Sequence, residues 1–325
     1  MSTVRTDWNH VEVRTSSESG RNYYAGLMAC GSVWVCPICA PKIQKVRAAE
    51  LRAAIAAARS QGLQVAMLTL TIPHTRFDDL ADLLEGFTGA LGALMRGRAW
   101  KKHIRPTFGV AGYVRGLETT WSELNGWHPH AHILLFLDQG ADLAELADAL
   151  FPSWETAVKN RGLGQVSRAA FTLQDGTHAN RYIAKMGGEW GPAEELVLSH
   201  TKSASGVQRY SPFDLLGEYA DGEHDAATTA RFGRLFVEYA NAYKGRRQLQ
   251  WSQGLKRQLL GTEGLTDEEI ADSLGEADPV LAIVTHEQWQ LVKRAGLRGT
   301  LLMVADHHGA DGVRLLLRSL APPPG

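Results

Sequence analysis

The residues best suited to chemistry lie in one short run, Gly126-Trp127-His128-Pro129-His130-Ala131-His132, which leads directly into the apolar Ile133-Leu134-Leu135-Phe136-Leu137. A β-strand turns alternate side chains to opposite faces. His130 and His132 therefore project the same way, with Cα atoms about 7 Å apart. Two imidazoles at that spacing can share one metal ion, and a divalent cation would satisfy polar groups that are costly on so apolar a strand. The alternative for such a pair is two hydrogen-bonded core histidines. A third imidazole within five residues favours the metal.

A third ligand comes from the preceding strand. Residues from about Phe108 to Thr120 read as extended, and Ser122-Glu123-Leu124-Asn125-Gly126 supplies an Asn-Gly turn that returns the chain as the histidine strand. In an antiparallel hairpin of this kind Glu118 reaches the face of His130 and His132. Two histidines and a carboxylate suit Mg²⁺ or Mn²⁺ in phosphate chemistry, and Zn²⁺ is also compatible with these ligand types. His128 is a weaker candidate because Pro129 disturbs the strand beside it.

Further along, Asn180-Arg181-Tyr182-Ile183-Ala184-Lys185-Met186 is predicted to be helical, with Tyr182 and Lys185 on one face. A phenol with a pKa of about 10 is a weak nucleophile at neutral pH. A neighbouring ammonium and a metal-polarised electrophile would activate it.

The flanking elements follow from periodicity. A helix is expected from Pro41 to Ser60, with proline in its first turn. Val65 to Ile72 reads as a strand closed by Pro73, and Asp78 to Met95 as an amphipathic helix carrying Leu80, Leu83, Leu84, Phe87, Leu91 and Leu94. After the histidine strand come a helix over Asp142 to Lys159, a strand over Gly164 to Leu173 and a short helix from Thr177 to Met186. The order strand, helix, strand, strand, helix, strand is that of a ferredoxin-like antiparallel sheet flanked by helices, an α+β fold. Three regions are expected: residues 1–60, a Cys-containing segment and helix; 61–200, the core that carries the histidine strand; and 201–325, a mainly helical module.

The chain has 325 residues and a net charge of -1, with 44% hydrophobic and 21% charged residues, which fits a globular protein of about two domains. The apolar runs are too short for a membrane span, and Met1 to Arg14 is polar rather than signal-like, so an intracellular, cytoplasmic protein is expected. Three cysteines within ten positions fit a reducing compartment. Cys36-Pro37-Ile38-Cys39 has the spacing of a zinc knuckle and Cys30 adds a third thiolate, with His10 and His74 as candidates for a fourth ligand; three buried small side chains are the alternative. Charge is segregated. Glu263 to Asp278 holds seven acidic residues and no basic one, whereas Lys244 to Arg257 holds Lys244, Arg246, Arg247, Lys256 and Arg257 and no acid. This basic stretch, with Tyr243 and Trp251, and Lys101, Lys102 and Arg105, with Trp100, are the candidate DNA contacts.

Leu68-Thr69-Leu70-Thr71, His128-Pro129-His130-Ala131-His132 and Tyr182-Ile183-Ala184-Lys185, in this order, resemble the three motifs of plasmid rolling-circle replication initiators in the HUH endonuclease superfamily, in the branch with one catalytic tyrosine. The likeness extends to Cys30-Gly31-Ser32-Val33-Trp34-Val35-Cys36-Pro37-Ile38-Cys39 and Gln250-Trp251-Ser252-Gln253-Gly254-Leu255. It implies that His130, His132 and Glu118 hold a divalent ion against the scissile phosphate of single-stranded origin DNA and that Tyr182 attacks it. The products would be a 5′-phosphotyrosine link and a free 3′-hydroxyl primer, with host helicase and polymerase as partners and strand rejoining at termination. Thr69 and Thr71 are expected to shape the strand behind the site. Where such initiators can carry a glutamate four residues before the tyrosine, this chain has His178, so the step that ends replication is open, with His178, Glu189 or a second tyrosine-type transfer as candidates. A relaxase, a single-strand transposase or a metal-dependent hydrolase without a covalent step are the alternatives.

Overall fold

The computed structural model describes residues 3–4, 8–17, 20, 22–176, 209–273 and 278–320. Tyr182 and Lys185, with His178, Glu189 and the helix expected over 177–186, lie outside the described residues. In chain order the elements used below are β1 His10–Thr15, β2 Asn22–Ala25, α1 Cys39–Ser60, β3 Leu63–Thr71, α2 Leu80–Arg96, β4 Gly112–Ser122, β5 Gly126–Asp138, α3 Leu143–Lys159, β6 Phe171–Asp175, β7 Arg209–Tyr210, α4 Pro212–Asp221, α5 Ala226–Ala242, β8 Leu249–Trp251, α6 Leu255–Leu260, α7 Asp267–Ser273, β9 Val280–Thr285, α8 His286–Arg294 and α9 Arg298–Ser319. The fold is α+β.

By its contacts the chain forms two compact units, residues 33–264 and residues 1–32 with 265–325. These cuts fall elsewhere than the expected ones after residues 60 and 200. The larger unit is built on a sheet of order β6-β3-β5-β4-β7, with β8 also pairing with β4. All its pairings are antiparallel. Counting only β3, β4, β5 and β6, the spatial order is fourth, first, third, second, as the split βαβ reading requires. The start of β6 corrects one expectation. Residues 163–167 are irregular and Arg168–Ala170 form a 3-10 turn, so the strand begins at Phe171.

Local chemistry explains the helix starts. Asp79 and Asp142 each accept two backbone N–H groups at the heads of α2 and α3, at 2.8 and 3.1 Å in both cases, satisfying donors that helix geometry leaves free. The two helices then meet through Phe87 and Trp154, whose rings pack edge to face at 5.9 Å.

The other core cluster decides where the site can be. Ala48, Leu51, Ala54, Ile55 and Ala58 of α1 pack with Val65, Met67, Val114, Leu134 and Phe136 of the sheet and Leu255 and Leu259 of α6. By strand alternation those sheet residues share their face with Thr69, Thr71, Glu118, His130 and His132. The same face is thus apolar beneath α1 and turns polar toward the hairpin.

In the smaller unit, β1 pairs with β2 and with β9, giving the order β2-β1-β9. Val11 and Val13 pack with Val284, Trp289 and Val292, and with Leu301, Ala305, Val313 and Leu317 of α9. The C-terminal region is therefore not helical throughout, since β9 joins a sheet with the N-terminal strands. No helix among the described residues is long and apolar enough to cross a membrane.

Candidate metal centre

Pairing of β4 with β5 sets Glu118 directly opposite His130, and pairing of β3 with β5 sets Thr71 opposite His130 and Thr69 opposite His132. The backbone therefore brings the expected three ligands together without any long-range loop. Oε2 of Glu118 lies 3.0 Å from Nε2 of His130 and 3.5 Å from Nε2 of His132. Donor atoms of all three residues fall within 4.8 Å of one another. Neighbouring ligands around a divalent ion stand about 3.0 Å apart in octahedral and about 3.3 Å in tetrahedral geometry, given bond lengths of about 2.0–2.1 Å. The observed spacings bracket those values.

Hydrogen bonds aim the rings. Nδ1 of His130 is 3.2 Å from the carbonyl oxygen of His128. A carbonyl can only accept, so Nδ1 donates there and Nε2 is the nitrogen that faces the centre. Nδ1 of His132 lies 3.1 Å from Oγ1 of Thr69. Thr69 thus orients the His132 ring, a role beyond the shaping of the strand behind the site that its sequence position suggests. The register opposite His132 was the signal that could have found it.

Glu118 and His132 are buried and His130 is half-buried. Oε2 of Glu118 has no partner of hydrogen-bond geometry among the described residues, despite the nearby nitrogens. An orphaned buried carboxylate oxygen facing two imidazole nitrogens is the donor set a cation would complete. Burial alone would raise the Glu118 pKa. The charge available on His130 and the contact with both imidazoles outweigh burial and hold it well below the usual carboxylate range.

His128 stands apart from the set. Its Nδ1 faces Nε2 of His74 at 2.6 Å, and Nδ1 of His74 meets the carbonyl oxygen of Asn125 at 3.0 Å. Burial, the charges of His130 and His74, and Arg209 push the His128 pKa down to about 3, so this ring is neutral. Beneath the hairpin, Nε1 of Trp127 donates to Oε1 of Glu238 on α5 at 2.7 Å, a tether with no local sequence signal.

The other candidates are distributed as follows. Lys101 and Lys102 are exposed on a π-helical turn, Trp100–Ile104. Trp100 itself is buried against Tyr113, their ring centroids 5.9 Å apart, which corrects the expectation that it stacks a base. Arg105 uses Nε on the Val110 carbonyl at 3.1 Å. Arg247 is exposed, and Arg257 is exposed and paired with Glu263 at 2.7 Å. Arg246 donates to the Ala242 carbonyl at 2.8 Å. Lys256 is a correction: it is buried, with Nζ 2.9 Å from Oε1 of Glu50, and offers no face to a phosphate. Tyr243 is likewise fully buried, its hydroxyl bonded to Thr119.

None of the cysteines forms a disulfide. In the larger unit the backbone N–H of Cys39 points at Sγ of Cys36 at 3.3 Å, the turn of a Cys-x-x-Cys knuckle. Cys30 lies six residues up the chain, before the boundary between the units. Of the proposed fourth ligands, His74 bonds to His128 and His10 to Glu12, 3.2 Å away.

Residues 27–141, which include β3, β4 and β5, match a family model described as Replication protein. A protein from Streptomyces lividans named Protein rep is 29% identical over 90% of this chain and 78% of its own length. A Neomycin resistance protein from Streptomyces cyanogenus is 30% identical over 34% of this chain, a match covering 31% of that relative. No solved structure matches. The replication-protein match spans the hairpin that carries Glu118, His130 and His132, and over 90% of its length the chain is similar to Protein rep of Streptomyces lividans.

Proposed function

We propose that the chain nicks single-stranded plasmid origin DNA at the Glu118, His130 and His132 centre, with Tyr182 as nucleophile. The observation that carries this reading is the orphaned Glu118 oxygen facing two imidazole nitrogens within a replication-protein match. A bound Mg²⁺ or Mn²⁺ would polarise the scissile phosphate and neutralise charge that builds in the transition state. His130 and His132 would hold the ion through their Nε2 nitrogens and Glu118 through its carboxylate. The Tyr182 oxygen forms a bond to phosphorus as the bond from phosphorus to the departing 3′ oxygen breaks. The phenol proton is lost, the 3′ oxygen gains one, and the Lys185 ammonium stabilises the phenolate. A 5′-phosphotyrosine and a free 3′-hydroxyl result. Attack by a later 3′-hydroxyl on that linkage would rejoin strands without a nucleotide cofactor, and the free 3′ end would prime the host polymerase behind a host helicase.

Incubation of the protein with end-labelled single-stranded origin DNA and Mn²⁺ should yield a band that survives denaturation, absent in Tyr182→Phe. Cleavage that persists in that variant would favour simple metal-dependent hydrolysis.

Cys36 and Cys39, with Cys30 from the same segment, are compatible with a separate structural zinc. Purified protein should then contain zinc that Cys36→Ser lacks; zinc content equal in both would remove that assignment.

A further inference from the structure

Beside the metal centre, at the turn end of the hairpin, lies a cavity of about 330 Å³. That volume is at the small end of ligand pockets, which span roughly 300–1,000 Å³. Its polar lining comprises His74, Thr120, Ser122, Asn125, His128 and Arg209, with no carboxylate among the described lining residues. Arg209 has no ion-pair partner among the described residues, unlike Arg231 and Arg257, which are matched with Glu123 and Glu263. The metal centre next door carries an acid; the cavity carries a guanidinium and hydroxyls.

Its position along the strand is equally informative. His128 and His130 are two residues apart on one face of β5, about 7 Å between Cα atoms, a step on the scale of one nucleotide of extended single strand. The hydrogen bond to His74 turns Nδ1 of His128 toward the cavity wall and away from the ligand set. Arg209 enters from β7, whose pairing with Ser122 places it across β4 from the turn.

We propose that this cavity is a phosphodiester subsite: Arg209, aided by the hydroxyls of Thr120 and Ser122, binds the DNA phosphate neighbouring the scissile one. The proposal rests on the origin-nicking reading for the identity of the strand. Arg209 is a positioning residue, holding the strand while its neighbour is cut.

The test separates binding from chemistry. A fluorescein-labelled oligothymidylate is titrated with the full chain in EDTA at several salt concentrations. Loss of one phosphate contact lowers the slope of log K against log salt by about 0.7 for a single strand. Arg209→Gln should show that drop, Arg209→Lys should keep the wild-type slope, and Arg168→Gln, whose side chain pairs with Asp148, should not alter it. An unchanged slope in Arg209→Gln would overturn the subsite while leaving nicking intact. A lowered slope in a protein that forms no covalent adduct would support the subsite and count against nicking. Absence of any binding by the wild type would overturn both. Inorganic phosphate is titrated in parallel; phosphate binding lost in Arg209→Gln with an unaltered DNA slope would mark a free-phosphate site and reject the proposal.

Discussion

Glu118 and His130 are register partners across the hairpin of β4 and β5, with Oε2 of one 3.0 Å from Nε2 of the other. The pairing bears on stability as well as on metal binding. Glu118 is held well below the usual carboxylate range in the folded chain, whereas an unfolded glutamate titrates near about 4.3. A depressed folded pKa stabilises the fold above the unfolded value, and that contribution is lost as pH falls through the folded one. In thermal melts of metal-free protein, the wild type should therefore lose stability relative to Glu118→Gln as the pH drops below about 4.3. A wild type that gains on the variant over that range would show the pKa to be raised instead.

Thr69 acts through His132. Its hydroxyl contacts Nδ1 at 3.1 Å and leaves Nε2 toward the centre. Outer partners of metal-bound histidines are worth roughly 10–100-fold in metal affinity. Thr69→Val should weaken Mn²⁺ binding by that order in calorimetric titration, with unchanged circular dichroism, while Thr69→Ser retains most of it. Equal affinity in wild type and valine variant would show that the hydroxyl does not orient the ring.

The turn between the ligand strands depends on Gly126. Its φ is +71°, and a Cβ there would lie 2.7 Å from Cα of Arg76. Both the left-handed backbone and the close approach exclude a side chain. Gly126→Ala should lower stability by about 1–3 kcal/mol, read as a fall in melting temperature, and should weaken metal binding because the hairpin aligns Glu118 with His130.

Much of this centre is legible in the sequence because a strand's period of two leaves little freedom. Once Asn125-Gly126 fixes the turn, Glu118, His130 and His132 must share a face, and the structure places them so. The strand order of β3, β4, β5 and β6 follows from the same alternation of elements. Pairings between distant segments are not legible. Glu12 lies opposite Ile283, and nothing local in either strand names the other. Side chains that tertiary packing buries are also misread. Lys256 looks like part of a basic run until Glu50 on α1 is seen against it, and Trp100 and Tyr243 look like stacking platforms until the core closes over them. Thr69 was visible as a strand residue, but its contact with His132 needed the β3 to β5 register.

The most direct test of origin nicking is to map the covalent link. Protein treated with single-stranded origin DNA and Mn²⁺ is digested with protease and nuclease and analysed by mass spectrometry. A nucleotide attached through its 5′ phosphate to the peptide containing Tyr182 is expected, absent when Mn²⁺ is chelated and absent in His130→Ala. Cut DNA with no peptide-linked 5′ phosphate, or a link on a different residue, would contradict it.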